Sequence, residues 1–173
     1  MRYAATMTRL SGLTIVSARS AGGLATIRTL FREYGASLDV DLASQDFEGE
    51  IKSLPGGYAP PAGALFIAQA EDGSALGCVG LRPLDRPGAC ELKRLYVRPD
   101  GRRGGAGRAL VEAAIAFARD AGHREILLDS LPGMAPAIVL YGALGFEPVP
   151  PYWENPLPGA LYFAKTLRPG PRP

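Results

Sequence analysis

Glycines and arginines are concentrated in one short stretch of this 173-residue chain. It reads ELKRLYVRPDGRRGGAGR from Glu91 to Arg108, with strand-like residues first and an alanine-rich helical segment after it. Unpaired N–H groups at a helix start attract anions, and glycines let a phosphate approach the backbone closely. Positive charge is added by Arg94, Arg98, Arg102, Arg103 and Arg108. The stretch therefore predicts a site for a phosphorylated ligand in preference to a solvated basic turn.

The spacing of the glycines distinguishes this stretch from two known nucleotide-binding motifs. A Walker A loop needs Lys and then Ser or Thr after its last glycine, where this chain has Arg108 and Ala109. A dinucleotide fingerprint is a closer rival, because Asp129 follows the glycines by about 20 residues. However, Leu110 replaces its third glycine, and residues 98–103 separate the strand from the glycines. Both alternatives are therefore disfavoured.

Two segments resemble one known family. The motif RxxGxG from Arg102 to Gly107, following a strand that ends at Val97, is similar to motif A of the GNAT superfamily, the acetyl-CoA-dependent N-acetyltransferases. The segment AIVLYGALGF from Ala137 to Phe146 is similar to the second family signature, in which a helix carrying Tyr ends in Leu-Gly-Phe. The order of elements resembles the family from about residue 13 to residue 167. The resemblance implies an acyltransferase that uses acetyl-CoA.

The resemblance also implies how coenzyme A is held. Strands 90–97 and 124–129 would splay apart at the centre of the sheet and receive the pantetheine arm along Leu95, Tyr96 and Val97. The family's phosphate-binding segment corresponds here to Arg102, Arg103, Gly104, Gly105, Ala106, Gly107 and Arg108. The arginines 102 and 103 would serve phosphates, and main-chain N–H groups from 103 to 108 would hold the pyrophosphate. Met134 departs from the family, where many members have Asn, so a side-chain contact to pantetheine is not expected.

Acetyl transfer to an amine needs a neutral nucleophile, a donor to the developing oxyanion and a proton for the leaving thiolate. The resemblance implies a main-chain N–H near Leu95 as the oxyanion donor and Tyr141 as the acid. Proton transfer from a phenol to a thiolate is uphill by roughly 2 kcal/mol. The resemblance also implies Glu91 as the residue that positions or deprotonates the amine, directly or through water. The alternatives are a core aromatic at Tyr141, and at Glu91 a strand-end acid paired with Lys93 or Arg94.

The remaining reactive side chains point to no further chemistry. His123 follows a helix-ending glycine, which favours an ordinary loop residue. Cys90 has no histidine nearby in sequence to activate it, so an acetyl-cysteine intermediate is not expected. With Cys78 as its only companion, it forms neither a disulfide framework nor a four-ligand zinc site. We therefore expect a cytoplasmic protein without a metal.

The acceptor is predicted to be the primary amine of a small molecule, with a protein or peptide amine as the alternative. The proline-rich loop around Tyr152 and Trp153 would lie on the acceptor side, where Trp153 contacts a cationic acceptor, the core or a homodimer partner. The segment 37–47, with three aspartates and no basic residue, is either another acceptor wall or a solvated turn. A coenzyme A-binding module without catalysis is the rival from a different functional class.

These residues need an α/β framework to position them. Antiparallel strands and two helices are expected first, followed by a parallel strand-helix-strand-helix half, in one mixed sheet of GNAT type. The length predicts a single domain over 1–173 with its core at about 13–167. The composition, 47% hydrophobic and 21% charged, excludes a disordered chain. The net charge of +2 predicts no nucleic-acid or membrane partner.

Overall fold

The sheet of this protein is built from both halves of the chain. In the computed structural model, which describes residues 8–10 and 12–167, the strands are β1 (Thr8–Leu10), β2 (Leu13–Ser17), β3 (Ala64–Ala70), β4 (Ala75–Pro83), β5 (Ala89–Val97), β6 (Glu125–Ser130), β7 (Glu147–Pro148) and β8 (Leu161–Thr166). These eight strands form one sheet in the order β1-β2-β3-β4-β5-β6-β8-β7. The helices of the described part are α1 (Ala21–Ala36), α2 (Phe47–Ser53), α3 (Ala106–Asp120) and α4 (Ala135–Ala143).

Neighbouring strands are antiparallel except β5 and β6, which run parallel. The predicted mixed sheet is therefore confirmed. Parallel pairing in the second half is limited to this pair, because β8 lies between β6 and β7 and is antiparallel to both. Strand β7 is limited to Glu147–Pro148, consistent with the missing N–H groups of Pro148 and Pro150.

Helices cover both faces of the sheet. On one face α3 buries an apolar stripe, with Leu110 and Ala114 fully buried in the larger core cluster. On the other face α1 buries Ile27 and Phe31 in a second cluster that also includes apolar residues of α2. Asp46 is the N-cap residue of α2, but its side chain makes no capping hydrogen bond. No helix of the described residues has the length and apolar character needed to cross a membrane.

Strands β5 and β6 separate after a short parallel contact. The paired residues are Ala89–Glu91 and 125–127, whereas β5 continues to Val97 and β6 to Ser130. Beyond Glu91, the edge of β5 that faces β6 has no strand partner within the described residues. The predicted splay at the centre of the sheet is therefore present, and backbone groups of β5 are available there to a ligand.

Candidate active site

The glycine-rich turn lies exposed at the start of α3. Gly105 is the N-cap residue, with a left-handed φ of 77°, and no side chain caps the helix. Apart from its neighbours in the chain, no described heavy atom lies within 4 Å of the position that a Cβ of Gly105 would occupy. The approach to the first N–H groups of α3 is thus open, and these groups have no partner inside the helix. Together with the helix dipole they can bind a phosphate.

Two of the five arginines around the turn are paired with carboxylates of other elements. Arg94 donates to the two oxygens of Glu50 at 2.8 and 3.1 Å, and Arg98 donates to those of Glu33 at 2.6 and 2.8 Å. The hydrogen bonds from Arg98 lower the pKa of Glu33. This corrects the expectation of a five-arginine anion site. The arginines that stay exposed at the turn are Arg102, Arg103 and Arg108.

A narrow cleft opens where β5 and β6 separate. It is lined by Tyr34, Leu38, Leu42, Gln45, Leu92, Lys93, Arg94, Leu95, Asp129, Ser130, Leu131, Met134, Tyr141, Asn155 and Leu157. The structure therefore brings Leu95 and Tyr141, two of the predicted site residues, to one cleft. Tyr96 and Val97 continue β5 towards the glycine-rich turn, so the predicted pantetheine and phosphate segments follow one another along the chain.

Tyr141 lies on the α4 side of this cleft with its ring in an aromatic cluster. The ring makes an edge contact with Phe146 at 5.7 Å and a tilted contact with Phe163 at 6.4 Å, both between ring centroids. Burial raises the pKa of the Tyr141 phenol above its ordinary value, so the hydroxyl keeps its proton at neutral pH. The nearby Ser130 Oγ is buried and has no hydrogen-bond partner among the described residues.

Glu91 is not among the residues that line the cleft, and its carboxylate contacts three other side chains. It is 1% exposed, and Arg82 donates to its Oε2 at 2.8 and 2.9 Å. Its Oε1 accepts a 2.8 Å hydrogen bond from the Tyr152 hydroxyl and lies 3.7 Å from Lys93 Nζ. Of the two ion pairs suggested by the sequence, Lys93 is present, whereas Arg94 pairs with Glu50 instead. The role of Glu91 in catalysis stays a prediction.

A second buried ion pair was not found by sequence reasoning. Lys93 Nζ contacts Asp129 Oδ1 at 2.9 Å, and Asn155 Nδ2 donates to Asp129 Oδ2 at 2.5 Å. The pair depends on the way β5 and β6 lie side by side, and residues 36 positions apart in the chain carry no local signal of such a contact. The negative charge that the cleft offers at Asp129 is therefore already balanced by a cation of the protein.

The loop before β8 folds onto this ion pair. Lys93 Nζ lies 5.3 Å from the centre of the Trp153 ring, which gives a cation–π contact. The Trp153 ring thus packs against a charged side chain of its own chain. Burial and the Glu91 carboxylate raise the pKa of Tyr152 well above the ordinary phenol value, so Tyr152 remains a hydrogen-bond donor.

The acidic segment between α1 and α2 reaches the cleft through a neutral side chain. Asp39, Asp41 and Asp46 are exposed and do not line the cleft. Gln45 does line it, accepting from Arg94 Nη1 at 3.2 Å and donating to Asn155 Oδ1 at 3.4 Å. The Gln45–Asn155 hydrogen bond crosses from the α1–α2 segment to the β7–β8 loop.

His123 and Cys90 occupy ordinary structural positions. His123 Nε2 lies 2.9 Å from the carbonyl oxygen of Ala62. Cys90 is fully buried, and burial raises the pKa of its thiol to about 12, which leaves it protonated at neutral pH. Within residues 8–10 and 12–167, no group of three or more potential ligands is arranged to hold a metal ion.

Comparisons with known proteins agree with this geometry. A family model described as "Acetyltransferase (GNAT) family" matches residues 26–146. An uncharacterized N-acetyltransferase of Schizosaccharomyces pombe is 36% identical over 90% of this chain and 96% of its own length. An acetyltransferase structure from Streptococcus agalactiae has a TM-score of 0.73 and 24% identity over 91% of this chain and 100% of its own. A Salmonella typhimurium protein solved with its cofactor acetyl-CoA has a TM-score of 0.66 and 20% identity over 94% and 98% of the two chains.

Proposed function

The chain belongs to the GNAT family of acetyltransferases, and we propose that it transfers the acetyl group of acetyl-CoA to a primary amine of a small molecule by direct attack. The family is one of N-acetyltransferase enzymes that use acetyl-CoA. The observation that carries the proposal is the separation of β5 from β6, which brings an open strand edge and Tyr141 to one cleft.

The residues present fit acetyl-CoA, which supplies the acetyl group as an activated thioester. The open edge of β5 offers Leu95, Tyr96 and Val97 to an extended polar arm such as pantetheine. The unpartnered hydroxyl of Ser130 lies at the end of β6 beside the same opening. At the glycine-rich turn, Gly105 leaves the space that a Cβ would fill, so a pyrophosphate can approach the N–H groups.

Tyr141 is proposed to protonate the sulfur that leaves. The phenol is protonated before transfer, but burial raises its pKa and so makes the proton harder to release than that of an exposed tyrosine. The aromatic contacts with Phe146 and Phe163 restrict the ring. A main-chain N–H near Leu95 is proposed to donate to the oxygen on which negative charge develops. Such donors act strongly in a cleft that excludes water.

The amine is proposed to enter neutral, or to lose its proton to water held near Glu91. Drawing a free alkylamine from solution near pH 7 costs about 5 kcal/mol. Glu91 is held by Arg82, Tyr152 and Lys93, which supports a positioning role above direct proton abstraction. Glu91 would then act by holding Tyr152 and Lys93 on the acceptor side of the cleft.

Replacement of Glu91 separates positioning from proton abstraction. If Glu91 positions its neighbours, Glu91→Gln lowers kcat by less than about tenfold and reduces the free energy of unfolding by about 1–3 kcal/mol, because buried donors lose a charged acceptor. Steady-state kinetics and urea unfolding measure the two effects. A fall in kcat of about 10²-fold or more, with unchanged stability, would instead identify Glu91 as the general base.

The acceptor is proposed to carry one positive charge at most. Asp129 in the cleft is paired with Lys93, and Glu50 beside it is paired with Arg94, so neither of these described carboxylates is free for a polycation. The hydrogen bond between Gln45 and Asn155 spans the cleft, which supports a small acceptor in place of a folded protein surface. Thiol release from acetyl-CoA should be faster with monoamines and amino acids than with polyamines, aminoglycosides or peptides. Preference for a polyamine or a peptide would reject this acceptor class.

Two exposed arginines, Arg103 at the glycine-rich turn and Arg119 in the last turn of α3, form a matched pair for testing phosphate binding. Arg103→Ala should weaken acetyl-CoA binding by about 3–10-fold, since it removes a charge beside the predicted pyrophosphate position. Arg119→Ala, at the opposite end of α3, also removes an exposed arginine and should leave the affinity unchanged. Calorimetric titration with acetyl-CoA at fixed ionic strength measures both variants. Equal affinities for the two variants would remove Arg103 from the binding site.

A further inference from the structure

Strand β5 contains a backbone outlier beside the cleft. Arg94 has a φ of 60°, and among the described residues only Asp46 shares a positive φ without being glycine. The register between β4 and β5 shifts here, because the pairs Cys78–Tyr96 and Gly80–Lys93 leave Arg94 and Leu95 opposite a single residue. The feature is a β-bulge with its first residue in the left-handed conformation. That conformation is costly for a residue with a Cβ and persists where surrounding contacts enforce it.

The Arg94 side chain is held by contacts with the α1–α2 segment and α2. The side chain is 4% exposed, and its guanidinium makes both hydrogen bonds to Glu50 and a third to Gln45. The carbon at the centre of the guanidinium also lies 4.8 Å from the centre of the Phe47 ring. Burial alone would raise the pKa of Glu50, but the hydrogen bonds and charge of Arg94 hold it below the ordinary value, so Glu50 is ionised at neutral pH.

Glu50, Gln45 and Phe47 surround the Arg94 guanidinium, and we call this contact set the Arg94 anchor. We infer that the Arg94 anchor maintains the bulge and thereby positions the Leu95 N–H at the cleft. This inference rests on the proposed function. Arg94 acts as a positioning residue for the oxyanion donor and does not need to contact the acetyl group. Gln45, which accepts a hydrogen bond from Arg94, also donates one to Asn155. The acceptor side of the cleft and the β5 bulge are thus joined through one guanidinium.

Two substitutions at the same position test the inference. Arg94→Ala removes the anchor and keeps a Cβ that disfavours positive φ, whereas Arg94→Gly removes the anchor but adopts positive φ readily. Arg94→Ala should lower kcat by about 30-fold or more, and Arg94→Gly should recover about 5–30-fold of that loss, the range expected for the left-handed penalty of an L-residue. The KM for acetyl-CoA should differ between the two variants by less than about threefold.

Ligand-free measurements keep the test independent of activity. In urea unfolding, Arg94→Gly should be more stable than Arg94→Ala, and the Leu95 amide resonance should stay near its wild-type position only in the glycine variant. The matched pair Lys165→Ala and Lys165→Gly, on β8 with ordinary backbone geometry, should show the opposite order of stability because glycine weakens a strand. Glu50→Gln should lower kcat in the wild type and have little effect in the Arg94→Gly background.

The outcomes separate this inference from the proposed function. If wild-type protein transfers acetyl groups and the alanine and glycine variants have equal kcat, the Arg94 anchor has no positioning role. If wild-type protein shows no transfer with any amine, the proposed function fails. In that case the order of stability and the Leu95 resonance decide whether Arg94 maintains the bulge. Equal stabilities and equal Leu95 resonances in the alanine and glycine variants would overturn the inference.

Discussion

Tyr141→Phe should lower kcat by about 10²-fold or more while the affinity for acetyl-CoA stays within about threefold of wild type. A general acid in acyl transfer typically contributes about 10²–10⁴-fold, and phenylalanine removes only the hydroxyl. The ring contacts with Phe146 and Phe163 do not need that hydroxyl, so the fold should be preserved. Steady-state kinetics with saturating acetyl-CoA, together with calorimetric titration, provide the measurement.

Tyr162→Phe is the matched control for this prediction. Tyr162 is buried to a similar extent, its hydroxyl donates to the Trp153 carbonyl, and it does not line the cleft. Its replacement should leave kcat within about threefold of wild type. A Tyr141→Phe variant that retains wild-type kcat would leave Tyr141 with the alternative role of a core aromatic. An equal loss in both variants would indicate a general effect of removing buried hydroxyls.

Gly105→Ala should weaken acetyl-CoA binding by about 10–100-fold. Alanine disfavours the φ of 77° at this N-cap, and its methyl group would occupy open space at the turn where the phosphate is proposed to bind. Losing one charge-assisted hydrogen bond costs about 1.5–3 kcal/mol, which corresponds to roughly this change in affinity. Calorimetric titration of both proteins with acetyl-CoA measures it directly.

Gly122→Ala is the matched control, because it also places an alanine at a positive φ but lies away from the glycine-rich turn. Gly122 follows the opposite end of α3, has a φ of 84° and has no described heavy atom within 4 Å of its Cβ position. Both alanine variants should lose about 1–2 kcal/mol of unfolding free energy. Only Gly105→Ala should bind acetyl-CoA more weakly. Equal affinities would show that the glycine-rich turn serves the fold and not the ligand.

The parts of the site that lie close together in sequence could be predicted from it. The glycine-rich turn is followed at once by the stripe of α3 that contains Leu110 and Ala114, and both features depend on short-range spacing. Tyr141 was likewise located by a continuous ten-residue signature. In these cases a local pattern determines both the secondary structure and the placement of the functional group.

The charged groups around the cleft could not be predicted in the same way. The sequence predicts an anion site that includes Arg94 and Arg98, but these two residues pair with carboxylates 44 and 65 positions earlier in the chain. The Lys93–Asp129 pair depends on how β5 lies beside β6. Ion pairing between separate elements has no periodic signature, because it is decided by which elements the folded sheet and helices bring within about 4 Å.

The β-bulge at Arg94 and the placement of β8 share this limitation. Arginine has no preference for positive φ, so the conformation of Arg94 follows from its contacts with Glu50 and Gln45 and not from its residue type. The order of β6, β8 and β7 likewise arises because β7 and β8 pair as an antiparallel ribbon whose inner strand meets β6. Element order alone suggested parallel pairing there.

The most direct test of the account is to quantify thiol release and acetylated amine in the same reaction. Wild-type protein is incubated with acetyl-CoA and a monoamine, free thiol is followed by absorbance, and the product is identified by mass spectrometry. We expect equal amounts of thiol and acetylated amine, formed only when protein and amine are both present. Acetyl-CoA binding in calorimetry without thiol release above the uncatalysed rate, across the whole amine panel, would contradict it.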